Sequence, residues 1–503
     1  MDHTNRDVDD LTALGYKQEL TRSLGSFSSF AAGFSYLSIM SGMFQLFGFG
    51  FGFAGPMVWW AWLAVFAGMM LVALCFAETS AKFPIAGSVY SWASRQGSEA
   101  WGWMTGWVML IASIATVAGV AVAWQISLPA ISPFFQFVGD GNGKYDFAEN
   151  AVVLGLILLV LITIANVAGI KIMSRTNNLG VLAEITGVSL FIGLMLAHFH
   201  RGPAIVMHSL GMPAASNLGI GGAILIAAIM PGWVMFGFDT AGSLAEETHD
   251  PRRRAPRAIL TALAAGGGAG LILLLLSFMA APNLRDPKVA SQGLPYIVGT
   301  LLGSGFGKAM MVFVVISTAA GALAIQTATI RFVFAMARDG KLPFSKRLSH
   351  VNPKTHTPIT ATVGVAVFVA LILIATANQP KIFTVLTSVS VVLVYIAYAM
   401  SLAAQLRSRR LQPGASRKVL GQFSLGRWGL PINIVALLFL IAGAVNFVWP
   451  RPQIYGAGAY RWGGAIFVLA TVGGGLVYRR FRHVPVAAEL SEHQVAEDAN
   501  PVI

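Results

Sequence analysis

Charged residues are scarce in this sequence of 503 residues: only 11% are Asp, Glu, Lys or Arg, whereas 56% are hydrophobic. A soluble domain carries about 25% charged residues, so this chain encodes too little polar surface to cover a core of its size. The mean hydropathy is +0.69. This composition excludes a soluble multidomain enzyme, a disordered protein and a nucleic-acid binder. It predicts an integral protein of a lipid bilayer.

Cysteine and catalytic motifs are also lacking. The single cysteine, Cys75, lies in an apolar stretch, which excludes an intrachain disulfide and a cysteine metal cluster. No His-Glu-x-x-His pair occurs. His198 and His200 have a spacing that could bind a metal, but they lie at a predicted helix end, so an interfacial position is favoured. The sequence therefore predicts no metal, no cofactor and no enzyme, and without a pore motif or charged rings a channel is disfavoured as well.

Long apolar runs, by contrast, are abundant. A helix needs about 20 mostly apolar residues to cross a bilayer, and nothing here alternates like the strands of a membrane barrel. The predicted fold is an all-α polytopic membrane protein with 12 transmembrane helices. The runs begin near Phe27, Met57, Trp101, Ala151, Asn178, Leu218, Ala258, Phe306, Pro358, Phe383, Leu430 and Trp462.

Basic residues are distributed unevenly over the predicted loops. If both termini are cytoplasmic, 25 of the 34 Lys and Arg residues fall in inside segments and 8 fall outside, as the positive-inside rule expects. The net charge of +13 then reflects topology rather than a nucleic-acid partner. Residues 1–21 lack the pattern of a cleavable signal peptide, so we expect the first span to direct insertion. The tail from Val484 to Ile503 is expected to be disordered.

Two predicted spans contain helix breakers at mid-membrane. The first carries Ser38 and the pair Ser41-Gly42, and the sixth carries Pro231-Gly232 followed by Gly237-Phe238-Asp239. Breaks in corresponding helices of two halves indicate a transporter site. The alternative is that such residues only allow close helix packing. For Gly48, Gly50 and Gly52 that alternative is preferred.

Two carboxylates lie inside predicted spans, where a charge costs roughly 3 kcal/mol or more. Asp239 is in the sixth span and Glu184 in the fifth, and neither has an evident basic partner at its depth. For Asp239 a structural role as a helix cap is favoured over direct substrate contact. For Glu184 a coupling or network role is favoured over a merely tolerated residue.

Two loops combine acids and bases at predicted cytoplasmic helix ends. One runs from Ala245 to Pro256 and the other from Met336 to Pro343. Ion pairs between such residues could hold a gate closed. An ordinary solvated loop is the default interpretation of both.

Several motifs together carry a family resemblance. The chain resembles the amino acid–polyamine–organocation (APC) transporters, and more narrowly their GABA and choline permease branch. The resemblance covers about Gly15 to Arg407. Its motifs are Gly15-Tyr16-Lys17-Gln18-Glu19-Leu20 with Arg22, the Ser41-Gly42 break, Ala77-Glu78-Thr79-Ser80 with Pro84, Gly87 and Tyr90, Gly237-Phe238-Asp239, Glu246-Glu247-Thr248, and Ala337 to Gly340.

The resemblance implies a LeuT-like five-plus-five inverted repeat with broken helices 1 and 6, followed by two peripheral helices. The corresponding division of the chain is residues 1–26 (cytoplasmic segment), 27–200 (spans 1–5), 201–406 (spans 6–10 with the preceding outer loop), 407–482 (loop and spans 11–12) and 483–503 (tail). It also implies alternating access around a site between the two broken helices.

The resemblance further implies where a substrate binds. Its carboxylate would meet the backbone N–H groups of Ser41, Gly42 and Met43, in keeping with the positive end of a half-helix. Its amino group would meet unwound carbonyls at Trp233, Val234 and Phe236. Trp233 and Phe236 are both candidates for an aromatic gate, and Gly237 and Asp239 are assigned to gating or structure at the break.

Some relatives carry a Lys in the fifth span that is thought to link transport to protons, and alignment on Asn177-Asn178 places Glu184 there. Glu184 is therefore our coupling candidate, with H⁺ as the coupling ion; sodium coupling and exchange are alternatives. The expected substrate is an amino acid or GABA, with choline, a polyamine, or sensing without transport as alternatives. The sequence leaves the oligomeric state and the direction of transport open.

Overall fold

The structure, a computed structural model, describes residues 11–212, 219–379, 381–411 and 423–481. Throughout these residues the regular structure is helical, and the β contact is an isolated bridge between Leu24 and Thr248. The expectations for the first ten residues, for residues 412–422 and for the tail 483–503 lie outside the described ranges.

Eight α-helices lie between Ser26 and Leu196. A one-residue interruption separates α1 from α2, and a short 3₁₀ turn separates α2 from α3. The helices are α1 (Ser26–Leu37), α2 (Ile39–Ala54), α3 (Val58–Lys82), α4 (Ser88–Gln96), α5 (Glu99–Val122), α6 (Trp124–Ile131), α7 (Asp146–Val167) and α8 (Ile170–Leu196).

The second half begins with a broken helix as well. The helices are α9 (Gly219–Ala227), α10 (Ile229–Val234), α11 (Thr240–Ser243), α12 (Pro251–Ala280), α13 (Pro287–Gln292), α14 (Leu294–Arg338), α15 (Ser345–Leu348), α16 (Ile359–Ala375), α17 (Ile382–Leu411), α18 (Gly429–Val448), α19 (Pro452–Tyr455) and α20 (Gly463–Phe481). α14 is kinked at Gly303, whose φ is 79°.

Nine helical stretches of the described residues are long and apolar enough to cross a membrane. The first of them, Ser26–Lys82, is 57 residues long and contains α1, α2 and α3. Three shorter apolar helices accompany them, at Gly219–Val234, Leu294–Gly303 and Ile359–Ala375. The chain is thus a multi-pass helical membrane protein.

Local sequence explains where several helices begin. Ser98 accepts a hydrogen bond from the Trp101 N–H at 3.2 Å and so caps α5, while Asp286 accepts one from the Lys288 N–H at 2.9 Å and caps α13. α12 begins at Pro251, where a proline loses no helical hydrogen bond. Two predicted boundaries were late: the fifth span begins at Ile170 and the seventh at Pro251, because their polar first turns remain helical.

Glycines allow the helices around the second half of the first span to approach closely. A Cβ on Gly48 would lie 2.4 Å from the Ala290 carbonyl oxygen, and one on Gly50 would lie 2.6 Å from the Met230 sulfur. The interpretation as packing positions is therefore confirmed for Gly48 and Gly50, whereas a Cβ on Gly52 would make only an ordinary contact, 3.8 Å from the Ala290 Cβ. Outward faces of the bundle present apolar side chains such as Leu469, which is 71% exposed, as expected for contact with lipid.

Candidate functional site

The first span is interrupted at Ser38. This residue has left-handed backbone angles, φ 37° and ψ 74°, which end α1 at Leu37 and let α2 begin at Ile39. The break therefore precedes the expected Ser41-Gly42 pair by three residues. Gly42 serves a different purpose, because a Cβ there would lie 2.5 Å from a methyl group of Val234 in the sixth span. Gly42 thus brings the two broken spans together.

The position of this break decides which N–H groups are available to a ligand. The first helical bond of α2 runs from the Gly42 N–H to the Ser38 oxygen at 2.8 Å. Gly42, and Met43 beyond it, therefore belong to the helical ladder, and α2 gives no intrahelical acceptor to the N–H groups of Ile39, Met40 and Ser41. Of Ser41, Gly42 and Met43, which were expected to offer N–H groups to a carboxylate, Ser41 is the one whose N–H has no acceptor inside α2.

The sixth span is unwound between α10 and α11. In a continuous helix the Gly237 N–H would bond the Trp233 carbonyl, but here it donates to the Tyr398 hydroxyl at 2.9 Å. The Thr240 N–H likewise bonds the Gly237 oxygen at 3.0 Å instead of the Phe236 oxygen. Both departures release carbonyls, at Trp233 and Phe236, from helical hydrogen bonding.

Gly237 is required at this turn for two reasons. Its φ of 95° disfavours any residue with a side chain, and a Cβ would lie 1.9 Å from the Tyr36 ring. The unwound segment consequently presses its backbone against the first span.

A small cavity lies between the two breaks. The volume within which the centre of a water molecule can move is about 10 Å³. The cavity therefore holds about one water and is too small for an amino acid. No charged side chain contributes to its wall. The lining residues are Tyr36, Leu37, Ser38, Ser41, Gly42, Thr116, Val120, Trp233, Phe236, Gly321 and Ile325.

Three aromatic rings close this cavity. The Phe236 ring packs edge-on against Trp233, with ring centroids 5.5 Å apart, and against Tyr36 at 6.0 Å. Both gate candidates thus belong to one cluster, and Trp233 is only 6% exposed. Trp124 and Tyr395 lie outside this cluster: Trp124 donates to the Val315 oxygen, and Tyr395 packs against Phe447.

Asp239 does not cap a helix with its side chain, which corrects the favoured expectation. The buried carboxylate instead accepts hydrogen bonds from the Ser88 hydroxyl, at 2.6 Å, and from the Tyr398 hydroxyl. Since Tyr398 also receives the Gly237 N–H, one hydroxyl fixes both ends of the Gly-Phe-Asp turn. Asp239 therefore joins the broken sixth span to α4 and α17.

Glu184 lies at the other break. It is fully buried on α8, and its Oε1 accepts a hydrogen bond from the Met40 N–H at 3.2 Å. Its Oε2 has no hydrogen-bond partner among the described residues. Hydroxyls surround the same helix end: Ser38 bonds Ser317 at 3.0 Å, and Ser41 accepts from Thr318 at 3.1 Å.

Two ion pairs connect the loop after the sixth span to α14. Arg331 binds Glu247 in a bidentate pair at 2.6 and 3.0 Å, and Arg338 binds Glu246 at 2.9 and 2.8 Å. Both glutamates are buried, so the default interpretation of this loop as solvated was wrong. These four residues are called the ion-pair cluster below.

The N-terminal segment lies across the ion-pair cluster. The Ser23 and Leu24 N–H groups donate to the backbone carbonyl oxygen of Glu247 at 3.0 and 2.9 Å. The Tyr16 hydroxyl donates to Asp339 at 3.1 Å, and the Arg338 guanidinium lies over the Tyr16 ring at 4.0 Å. Burial, together with the charge of Asp339, raises the pKa of Tyr16, so this hydroxyl stays protonated and continues to donate at neutral pH.

Comparison with known proteins identifies the family of this chain. A family model described as amino acid permease matches residues 24–472. The chain belongs to the amino acid permease family.

Relatives of this permease extend over most of its length. The amino-acid permease BAT1 of Arabidopsis thaliana is 27% identical over 465 residues, which cover 88% of each chain. The branched-chain amino acid permease BcaP of Bacillus subtilis is 27% identical, covering 70% of this chain and 75% of its own. The thiamine transporter thi9 of Schizosaccharomyces pombe is 26% identical, covering 88% and 80%.

Sequence reasoning missed several residues of the permease's site. Tyr398, Ser88 and Ser317 are uncharged, and nothing in their local sequence distinguishes them from ordinary packing residues. Arg331 lies inside the eighth predicted span and is the one of the 34 basic residues that the loop count assigns to neither side. A buried arginine requires a buried acid, so Arg331 could have been paired in advance with one of the two adjacent glutamates, Glu246 and Glu247.

Proposed function

We propose that this permease moves an amino acid with a neutral side chain across the cytoplasmic membrane by alternating access. The observation that carries the proposal is the uncharged cavity between two broken spans. One wall offers the helix-end N–H of Ser41, and the opposite wall offers carbonyls freed from helical hydrogen bonding. Such a pair of sites suits a zwitterion.

The proposed binding mode places the substrate carboxylate at the Ser41 N–H and its ammonium at the Trp233 and Phe236 carbonyls. Gly42 and Val234 form the contact that sets the separation of these groups, and Met43 supports α2 from within the core. The Trp233 and Phe236 rings act as the gate. This assignment keeps the residues that the sequence indicated and moves the carboxylate site toward the start of α2.

A neutral side chain is favoured because the acids near the cavity are engaged. Asp239 is held by Ser88 and Tyr398, and Glu184 by the Met40 N–H. A polyamine, arginine or glutamate would bury an unpaired charge against an uncharged wall, which is costly. The relative BcaP is named a branched-chain amino acid permease, which agrees with a neutral side chain.

Choline is the second candidate. Tyr36, Trp233 and Phe236 offer three ring faces or edges at one cavity, and a quaternary ammonium gains from aromatic walls. Choline has no carboxylate, so it would leave the helix-end N–H of Ser41 unused. Competition between choline and an amino acid therefore distinguishes the two candidates.

For the topology we propose twelve spans in a five-plus-five inverted repeat, residues 27–200 and 201–406. The stretch Ser26–Lys82 is long enough for two spans. The other eight long apolar stretches bring the number to ten, and the broken α9–α11 region and α16 bring it to twelve. Breaks in the first and sixth spans are five spans apart, as this repeat requires. The excess of Lys and Arg in the predicted inside segments supports a cytoplasmic position for both termini and for the ion-pair cluster.

The conformation described here is closed around the site. The cavity is too small for an amino acid, and the ion-pair cluster holds one end of the bundle shut. Alternating access then requires the cluster to separate when the site opens to the cytoplasm. Glu184, a buried carboxylate at the first break, is the proposed site of proton coupling.

The test is uptake by the full chain in proteoliposomes under an inward proton gradient. Labelled L-alanine, L-leucine, GABA, L-arginine, putrescine and choline are compared. Accumulation of alanine or leucine above the others supports the proposal, whereas accumulation of arginine or putrescine overturns the assignment of a neutral side chain. Binding without uptake or counterflow would point to a sensor.

A pair of glycine variants shows whether the cavity is the site. A Cβ on Gly321 would lie 3.0 Å from the Ser35 oxygen at the cavity wall, whereas one on Gly193 of α8 meets nothing within 4 Å. Gly321→Leu should abolish binding of the accumulated amino acid, and Gly193→Leu should leave it unchanged. Equal loss in both variants would remove the cavity from the proposal.

A further inference from the structure

The N-terminal end of α2 contacts both Glu184 and the cavity between the two breaks. Its N–H groups at Ile39, Met40 and Ser41 have no acceptor within the helix. The Met40 N–H is taken by Glu184, and Ser41 lines the cavity. The two positions are adjacent in the first turn, so anions bound at both would lie close together at one positive helix end.

The burial of Glu184 makes its carboxylate sensitive to a second anion at the same helix end. This residue is fully buried, and its Oε2 has no hydrogen-bond partner in the described chain. The residues that meet α8 at its level are uncharged: a Cβ on Gly187 would contact Phe313 at 3.0 Å, and one on Gly180 would contact Ala320 at 2.3 Å. The Ser38 and Ser317 hydroxyls face the same carboxyl.

The charged groups of the packed helices lie away from this level. α2 contains no titratable residue, and the one on α1, Tyr36, packs toward Phe236. Lys308 is nine residues from Ser317 along α14, or about 14 Å at 1.5 Å per residue, and Arg331 is further away and bound to Glu247. The others stand near helix ends: Lys171 and Arg175 on α8, Arg252, Arg253, Arg254 and Arg257 on α12, Asp146 and Glu149 on α7, and Arg338 on α14.

We propose that Glu184 and the substrate carboxylate compete electrostatically for the N-terminal end of α2, so that Glu184 takes up a proton when the carboxylate binds. This rests on the proposed function and deepens it. Glu184 is then a positioning residue that links one proton to one carboxylate without touching the substrate. The link depends on the substrate's carboxylate and not on its ammonium or side chain.

This dependence makes the inference separable from an ordinary pH effect. Two negative charges within several ångströms in a partly dry site repel strongly, so the affinity should change by about tenfold or more when one of them is neutralised. An amino alcohol has the same side chain and ammonium as the amino acid but no carboxylate. Its affinity should therefore not respond to the charge of Glu184.

The experiment measures binding to the purified full chain in nanodiscs at pH 5.5 and pH 8. The probes are L-alanine and L-leucine, each with its amino alcohol, alaninol and leucinol. For the wild type we expect the amino acids to bind at least tenfold more tightly at pH 5.5, and the amino alcohols to change less than twofold. In Glu184→Gln the amino acids should bind at pH 8 as tightly as the wild type does at pH 5.5.

Two further variants complete the design. Glu184→Met removes the charge without introducing an amide, and it should bind the amino acids with the same independence of pH. It therefore tests the inference even where Glu184→Gln does not fold. Glu149→Gln removes a carboxylate in the first turn of α7 and should keep the wild-type pH dependence. In vesicles Glu184→Gln should retain counterflow but lose accumulation driven by a proton gradient.

Three outcomes would overturn the inference. The first is an unchanged pH dependence in both Glu184 variants, and the second is an equal pH dependence for amino acids and amino alcohols. The third is the absence of amino acid binding at either pH, which also ends the proposed function. Normal uptake of amino acids with unchanged pH dependence in the variants would leave the proposed function standing and remove only the role of Glu184.

Discussion

Arg331 of α14 and Glu247, which follows the broken sixth span, form a bidentate ion pair in the protein interior, at 2.6 and 3.0 Å. Each side chain is only 2% exposed. The two residues are 84 positions apart in the chain. The backbone carbonyl oxygen of Glu247 also accepts hydrogen bonds from the Ser23 and Leu24 N–H groups, so this residue connects α14, through its side chain, with the N-terminal segment, through its backbone.

Removal of one partner of this pair should be costly. Glu247→Gln leaves a buried guanidinium without its counter-charge, and we expect a loss of stability of about 3–5 kcal/mol. Thermal unfolding of the purified protein measures it. The control is Glu99→Gln, which breaks the pair between Lys341 and a glutamate that is 75% exposed and should cost less than about 1 kcal/mol. Similar losses in both variants would contradict the importance of burial.

The Tyr398 hydroxyl should be essential to the sixth-span break. Tyr398→Phe removes the donor to Asp239 and the acceptor of the Gly237 N–H, so two buried polar groups lose a partner at a cost of about 1–3 kcal/mol each. Uptake should fall at least about tenfold. Tyr395→Phe, three residues earlier on α17, removes a hydroxyl without a hydrogen-bond partner in the described structure and should change neither stability nor uptake. Comparable behaviour of the two variants would show that the hydroxyl of Tyr398 is dispensable.

Gly237 should tolerate no side chain. Gly237→Ala combines an unfavourable φ with a collision against Tyr36, so we expect loss of uptake and a marked decrease in thermal stability. Gly268→Ala on α12 places its Cβ in open space within a helix and should stabilise by up to about 1 kcal/mol. Wild-type uptake by Gly237→Ala would disprove the close approach of the two breaks.

The N-terminal segment should protect the ion-pair cluster from solvent. Tyr16→Ala removes the bond to Asp339 and the ring beneath Arg338, so the bonds from Ser23 and Leu24 to Glu247 should open more often. Hydrogen exchange of peptides covering residues 20–26 and 245–250 should become several-fold faster. Tyr460→Ala changes a side chain that is 76% exposed and far along the sequence, and it should leave these peptides unaffected. Unchanged exchange in Tyr16→Ala would assign the closed state to the ion pairs alone.

The location of the breaks could be predicted only within a few residues. Helix breakers mark a region where the helix can end, but glycine also permits close packing, and the two uses look alike in sequence. At Gly42 the packing use applies, because Val234 occupies the space of a Cβ, whereas Ser38 adopts the left-handed conformation that ends α1. Which residue takes which role depends on the neighbouring helix.

Partners at long range could not be predicted. Asp239 looked like a helix cap because its own sequence surroundings offer N–H groups, yet it binds Tyr398, 159 residues away, and Ser88, 151 residues away. The acids of the loop after the sixth span looked solvated because charged residues usually are. Their burial follows from Arg331 and Arg338, which reach them from another helix.

The sequence by itself determined that this protein is a helical, multi-pass membrane protein of a transporter family. In lipid the backbone is satisfied in helices or in closed barrels, and long apolar runs without the alternation of barrel strands indicate helices, while motif order indicated the family. Only the tertiary structure decided which polar groups meet: Met40 with Glu184, Tyr398 with Asp239, and Glu247 with Arg331. Hydropathy sets how each segment meets the bilayer, whereas specific contacts between distant segments depend on how the helices pack against one another.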